Sequence, residues 1–295
     1  MDDAMSEANA ATSGGRRRVL RFLLKSPAAA IGVIVILLYL LAAVLAPLLS
    51  PYEPTAVHLR DRMMPPVWAS EANDRFILGT DHLGRDLLSR LLHGSRVALI
   101  VSFGSVLVSA LIGVALGLLS GYLGGWIDGV VMRFVDMLLA VPNVLLYLTV
   151  VVIFGPSVAL MIVVIGLVNW TTFARVVRSQ TLAVKERQFV EAAVALGESR
   201  PRIIVRHVLP NVGSSIAVIA TLDVASVIIL EASLSFLGLG VQAPTVTWGR
   251  MLADGREYLA TAWWLATFPG LAITFLVLAL IFVGDWLRDV ADPRT

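Results

Sequence analysis

Residues 137–174 read MLLAVPNVLLYLTVVVIFGPSVALMIVVIGLVNWTTFA, and none of them is charged. A helix crossing a bilayer uses about 20 consecutive apolar residues. The run is too long for one such helix and suits two, divided at Gly155-Pro156 into spans near 132–154 and 157–174. Working outward, the same criterion marks 28–49 and 97–119 upstream, and 212–230 and a stretch within 259–284 downstream. Asp223 interrupts the fifth of these. The expected fold is an all-α membrane protein with six transmembrane helices.

Composition agrees. Hydrophobic residues make up 58% of the 295 and charged residues 15%, with a mean hydropathy of +0.84. Soluble domains are about one-quarter charged. A chain this apolar has too little polar surface to cover a soluble core. A disordered chain, a coiled coil and a water-soluble enzyme are excluded on the same ground. The first apolar run exceeds a signal-peptide core, and Pro47 directly follows the plausible cleavage residue Ala46, so it reads as an uncleaved anchor. The expected organisation is a tail 1–27, the anchor 28–49, an external segment 50–96, a five-helix core 97–284 that contains a charged loop 175–211, and a tail 285–295.

Arg and Lys set the orientation. With the N-terminus inside, the internal segments carry 15 of these cations and the external segments 8. Both termini are therefore expected in the cytoplasm. Trp126, Trp170, Trp263, Trp264 and Trp286 fall near the expected span ends, where interfacial aromatics belong.

Several chemistries are missing. There is no Cys, which removes disulfides, thiolate metal sites and a Cys nucleophile. A P-loop needs a glycine-rich turn before Lys-Ser/Thr. Lys25 follows Leu23-Leu24 and Lys185 precedes Glu186, so neither fits. The four His residues are scattered without an i,i+4 pair, and no metal site built by this chain is expected. A net charge of +2 gives no basic footprint for nucleic acid.

The most charged stretch, residues 185–210, reads KERQFVEAAVALGESRPRIIVRHVLP. Phe189, Ala192, Ala193 and Leu196 recur at helical spacing as one apolar stripe. Gly197 suits the left-handed position that ends a helix. Ser199 is placed to cap a second helix, with Pro201 in its first turn and Pro210 at its end. Small side chains at Ala192 and Ala193 admit a second surface close to the backbone, and Arg187, Glu191, Glu198 and Arg202 surround them. Periodicity alone leaves two readings open: a docking element, or an amphipathic helix lying on the membrane surface.

Glu191-Ala192-Ala193, three residues, Gly197, and then Leu209-Pro210 resemble the EAA loop of ABC importer permeases, with His207 where the family has Ile. A second stretch, Leu78-Gly79-Thr80-Asp81-His82-Leu83-Gly84-Arg85-Asp86-Leu87-Leu88-Ser89-Arg90, is similar to the signature of the C-type permease of dipeptide, oligopeptide and nickel importers. Ser233 to Gly240 resembles that subfamily's stretch after the fifth span. The resemblance implies the ABC importer type I permease fold in a bacterial inner membrane. It implies that the EAA loop docks on a cytoplasmic ATPase. It further implies a homologous B-type permease, two ABC ATPases that carry ATP and magnesium, and a periplasmic solute-binding protein. The chain itself would hold no cofactor and perform no catalysis.

The 78–90 stretch is also readable from its residues. Asp81 with Arg85 and Asp86 with Arg90 are i,i+4 pairs in the favoured order. Gly79 and Gly84 permit tight turns. A structural cap and a docking surface for an external protein are both compatible. In the membrane, a carboxylate at mid-bilayer costs about 2.5–3.5 kcal/mol on insertion scales, so Asp223 and Glu231 need a reason. They fall on nearby faces of one helix and are candidates for lining a pathway or for pairing within the complex. They also define a rival function, a proton-coupled secondary transporter. Arg133 and Asp136 are expected to form a local pair.

The charge bias makes the topology testable. A cysteine at Ser70 should react with an impermeant thiol reagent added to intact cells, and a cysteine at Ser199 should react only after lysis. The reverse pattern would invert the assignment.

Overall fold

In a computed structural model, residues 26–69 and 74–291 are described; the cations Arg16, Arg17, Arg18, Arg21 and Lys25, and Ser70, lie outside them. The elements are α1 (Pro27–Leu49), α2 (Leu87–Leu123), α3 (Gly125–Leu139), α4 (Asn143–Phe154), α5 (Val158–Lys185), α6 (Gln188–Ala195), α7 (Arg200–Phe236), α8 (Trp248–Gly255) and α9 (Trp264–Ala291). Short 3-10 turns occupy Leu59–Asp61 and Arg256–Tyr258. Among the described residues no strand forms; Thr80 and Asp86 share one isolated antiparallel bridge.

Five helices (α1, α2, α5, α7 and α9) are long and apolar enough to cross a membrane. The third expected span is not one straight helix. It is α3 and α4, bent by 78°. Pro142 lacks the N–H a continuous helix needs and sits at the break, before Asn143. Gly155-Pro156 then separates α4 from α5 as expected, with Gly155 at φ +78.

The contact between α2 and α5 settles how the bent pair counts. Ser105, Ser109, Gly113, Gly117 and Gly121 are buried on α2 at a spacing of four. Ser109 Oγ donates to Gly166 O at 3.1 Å. A Cβ on Gly113 would strike Trp170 O, one on Gly117 would come within 2.8 Å of Ala174 O, and one on Gly121 within 2.9 Å of Arg178 O. Each partner lies further along the chain by the same offset, so α2 and α5 run parallel in constant register. The chain must therefore climb back over about 30 Å between Leu123 and Val158, roughly one hydrocarbon core. The pair α3–α4 is one broken crossing, and the crossings number six.

The remaining spans wrap this pair. α7 packs on α2, α5 and α9, while α1 packs on α2 and α9, with Gly32 against Ala279 O. The main apolar core includes Val101, Ile165, Phe173, Val227, Ile228 and Leu276. Outward faces stay apolar, as at Leu38, Val44 and Leu48 of α1, which suits lipid as the solvent.

Several local expectations change. The second span extends well beyond 97–119, since α2 begins at Leu87 after its Asp86 N-cap. The last helix starts at Trp264, inside the expected 259–284, but continues to Ala291 into the expected tail, and residues 175–185 of the expected charged loop continue α5. Pro210 does not end a helix. A π turn over Ile204–Val208, with Leu209 N–H bonded to Ile204 O, widens the coil and lets Arg200–Phe236 run through it. Trp170 and Trp264 are buried within the protein rather than placed at an interface, whereas Trp126 is exposed. Asp136 pairs with Arg175 at 2.7 Å instead of Arg133, and Asp128 holds Arg178 at 2.5 and 2.6 Å. Both pairs tie α3 to α5, because helix packing brings those side chains together more closely than local spacing does.

Close approach at the α2–α5 line makes it sensitive to single carbons. Gly113→Leu should lower the thermal midpoint of the detergent-purified protein, since overpacking costs about 1–3 kcal/mol. Gly129→Ala, where an added Cβ meets nothing within 4 Å, should leave the midpoint unchanged or raise it.

Candidate functional site

The functional residues collect at the two ends of the α2–α5 pair. At one end α5 finishes at Lys185, whose Nζ donates to Tyr122 O at 2.7 Å and lies over the Tyr122 ring. Two residues later α6 begins. Gly197, at φ +79, closes it, with Glu198 N–H donating to Ala193 O at 3.1 Å and Gly197 N–H to Val194 O at 3.0 Å. This is a Schellman end. A Cβ on Gly197 would meet nothing within 4 Å, so the constraint is backbone conformation rather than space.

The expected apolar stripe divides. Ala193 is buried together with Val190, against Leu118, Tyr122, Val177 and Ile203. Phe189, Ala192 and Leu196 point away, and Leu196 is 85% exposed. Glu191 is also exposed. The chain thus seats α6 through one face and leaves a second apolar face bare. Ser199 precedes α7, with Pro201 in the first turn, but its side chain makes no capping bond. The turn is closed instead by Glu198 Oε2 and His207 Nε2 at 3.0 Å. His207, at the position where the EAA pattern has Ile, therefore has a structural partner that local spacing did not reveal. Leu209 packs on the same cluster as Ala193, and Pro210 is exposed.

Within the bundle, Tyr147 Oη donates to Asn169 Oδ1 at 2.8 Å, and Asn169 Nδ2 donates to Asp223 Oδ1 at 3.3 Å. This chain of bonds joins α4, α5 and α7. Asp223 Oδ2 is buried without a hydrogen-bond partner. Glu231 is 2% exposed and accepts from Ser235 Oγ at 2.7 Å. The two acids have separate partners.

The other end is organised by the 78–90 stretch. Gly79 and Gly84 adopt φ +81 and +76. A side chain on Gly84 would collide with the His58 carbonyl, so this turn needs glycine for space as well as for conformation. Thr80 is fully buried: its hydroxyl donates to Asp61 O and accepts from Met64 N–H, and its carbonyl accepts from Trp264 Nε1 at 3.3 Å. Asp81 Oδ1 accepts from the Leu83 and Arg85 amides, while its Oδ2 pairs with Arg85 Nε at 2.6 Å and Arg90 Nη1 at 3.3 Å. Asp86 does not pair with Arg90. It caps α2, accepting from Ser89 N–H at 2.8 Å and Ser89 Oγ at 2.6 Å. Capping turns the Asp86 carboxylate toward the first turn of α2 rather than along the helix toward Arg90. Asp254 of α8 supplies the missing charge, 3.5 Å from Arg85 and 3.8 Å from Arg90. Asp254 was not singled out by sequence reasoning. The available signal was two arginines competing for one free acid once Asp86 is recognised as a cap.

α8 is fastened beside this network. Trp248 Nε1 donates to Leu91 O at 2.9 Å, and Trp248 closes over Gly94 of α2. The stretch from Ser233 to Gly240 ends α7, with Gly238 at φ +80 and Leu239 N–H bonded to Leu234 O at 2.9 Å.

A broken six-crossing bundle with a seated, half-bare turn at one end is the architecture of a transport permease, and the comparisons with known proteins agree. Residues 113–295 match the family described as binding-protein-dependent transport system inner membrane component, and residues 16–66 match the N-terminal TM domain of oligopeptide transport permease C. The chain belongs to the binding-protein-dependent transport system inner membrane component family. It is 40% identical to the di/tripeptide transport system permease protein DppC of Pseudomonas aeruginosa over 263 residues, covering 89% of this chain and 87% of that one. It is 41% identical to the dipeptide transport system permease protein DppC of Escherichia coli over 271 residues, covering 92% and 90%. A third relative, the DppC of Alkalihalophilus pseudofirmus, is 40% identical over 278 residues, covering 94% and 90%. The chain is accordingly a multi-pass, all-α permease subunit.

The two acids of the 78–90 stretch should separate in experiment. Asp86→Ala removes a cap and should cost about 1 kcal/mol of stability. Asp81→Ala leaves buried Arg90 and part-buried Arg85 with only Asp254 and should cost about 3–5 kcal/mol. Urea unfolding of the purified protein, followed by tryptophan fluorescence, distinguishes the two; equal losses would contradict the assignment.

Proposed function

We propose that this chain is one of two permease subunits of an ATP-driven importer in the bacterial inner membrane. It forms half of the pathway for peptides, or for nickel or related small solutes, delivered by a periplasmic binding protein. A homologous B-type permease completes the pathway. Two cytoplasmic ABC ATPases carry ATP and magnesium, and this chain binds no cofactor. Both termini lie in the cytoplasm. The peptide cargo follows the names of the relatives.

The observation that carries this reading is the bare apolar face of α6. Phe189, Ala192 and Leu196 project at a charged end of the bundle, on a helix that Val190 and Ala193 fix firmly to α2, α5 and α7. A helix so placed transmits force in both directions: what moves α6 moves the spans. In this reading the face fits a groove on the ATPase, and closure of the ATPases around ATP tilts the spans and opens the pathway to the other side. In this reading Asp223 borders the pathway, tethered by Asn169, while Glu231 stands behind that wall.

A proton relay through Asp223 and Glu231 finds little support. Eight residues of helix separate them by about 12 Å, and Asn169 and Ser235 hold them separately. A secondary transporter also has no use for an exposed α6.

The buried position of Ala193 determines how the reading is tested. Ala193→Trp would disturb the seat of α6 as well as any docking, so substitutions on the bare face are diagnostic. Leu196→Asp and Ala192→Trp should reduce the ATPase subunits copurifying with the detergent-extracted complex several-fold, or uncouple ATP hydrolysis from transport if the complex persists. Arg187→Ala should do little, because exposed ion pairs contribute under about 1 kcal/mol. Unchanged stoichiometry and coupling in both face variants would make α6 a membrane-surface helix.

A further inference from the structure

At the opposite end of the bundle from α6 lies a cleft of about 380 Å³ between residues 82–90 and residues 243–254, lined in part by Thr55, His82, Arg85, Arg90, Arg250 and Asp254. Its charge is unbalanced. Three guanidinium groups and one carboxylate line it, and Asp81 beneath is already engaged by Arg85 and Arg90. Arg90 is 4% exposed, yet its Nε has no hydrogen-bond partner, and neither does Nδ1 of His82, whose ring stacks on Tyr258. With Asp81 and Asp254 shared among Arg85, Arg90 and Arg250, the cleft holds one more cation than acid, and a carboxylate entering it balances the charge.

The rim points to a protein as the source of that carboxylate. Arg250 stands at the mouth, half-exposed and bonded only to Asp254 across one helical turn at 3.1 Å. Beside it, His58 N–H donates to Leu83 O at 3.2 Å, which holds Val57 and Leu59 next to the cleft wall. Both are more than half exposed, on a segment outside the spanning helices. A cationic cleft with an apolar rim is the complement of an acidic side chain set in an apolar surface.

We propose that this cleft is the docking point for an acidic side chain of the external binding protein, with Arg250 as the first contact and Val57 and Leu59 as the surrounding seal. The inference rests on the importer reading above and assigns to it a surface and a chemistry. An arginine fork binds a carboxylate through two parallel hydrogen bonds, so the charge both steers the encounter and sets the orientation.

The test uses the whole transporter in nanodiscs with its loaded binding protein, reading ATP hydrolysis against binding-protein concentration. Arg250→Glu should raise the half-maximal concentration about tenfold or more, with the maximal rate recovered at saturation, and Arg250→Gln should raise it about threefold. Added salt should weaken the wild-type interaction more than that of Arg250→Glu. Leu59→Ser, which leaves every charge in place, should also raise the half-maximal concentration, and with Arg250→Gln it carries the test if the Glu variant fails to assemble. An unchanged half-maximal concentration in Arg250→Gln and Leu59→Ser overturns the proposal. So does hydrolysis stimulated by a free acidic peptide alone and abolished in Arg250→Glu, which would make the cleft a cargo site. A wild-type transporter that no binding protein stimulates overturns the importer reading and the docking point with it.

Discussion

Five small side chains on one line of α2 determine how closely two helices can approach. In lipid, apolar side chains gain nothing by leaving their surroundings for one another, so helix association depends on contact distance and on hydrogen bonds between helices. Ser105, Ser109, Gly113, Gly117 and Gly121 bring the α2 backbone against Gly166, Trp170, Ala174 and Arg178 of α5. The register is constant and parallel. From it follow the return crossing by α3 and α4, the bend at Pro142 that lets two short helices make that crossing, and the place of α7 against both members of the pair.

The same pair joins the two ends of the molecule. Asp86 and Arg90, at the start of α2, belong to the network that fastens α8. Leu118 and Tyr122, near its end, form the seat of α6 together with Val177 of α5. Two rigid helices locked along one line move as a unit, so a displacement of α6 is felt at Arg90 without an intervening flexible joint. That mechanical continuity gives physical content to the coupling proposed above between an ATPase at one end and a binding protein at the other.

Charge is placed where it can be paired. Asp128 and Asp136 of α3 meet Arg178 and Arg175 of α5, and Asp81 and Asp254 share two arginines. Removing one partner from a buried pair is more costly than the pair is worth, so Asp81 and Arg90 hold their elements in register, while the exposed Asp136–Arg175 pair contributes little. Among the described residues, buried charged side chains that keep one atom without a hydrogen bond include Asp223, at Oδ2, and Arg90, at Nε. Each lies where a second molecule is expected in the proposed function.

Much was legible in the sequence. Hydrophobic runs located the spans because the bilayer sets the length of a helix that crosses it. Gly155-Pro156, Gly197, Gly79 and Gly84 announced their turns because a positive φ or a missing N–H is a local property. The amphipathic α6 was readable for the same reason, whereas the i,i+4 spacing of Asp86 and Arg90 suggested a pair where Asp86 is a helix cap. Pairings over long separations were not. Arg90 with Asp254, Asp136 with Arg175, Glu198 with His207 and the two faces of α6 depend on which helices become neighbours. Pro210 misled because the π turn before it is a response to tertiary packing. The sequence by itself determined that this chain lives in a membrane, where its helices break and which short segment projects from the bundle, since solvent and backbone act on each residue locally. Only the tertiary structure decided which charges are paired, which face of α6 stays bare and how α3 and α4 share a crossing, because those depend on distances between residues that the chain brings together only on folding.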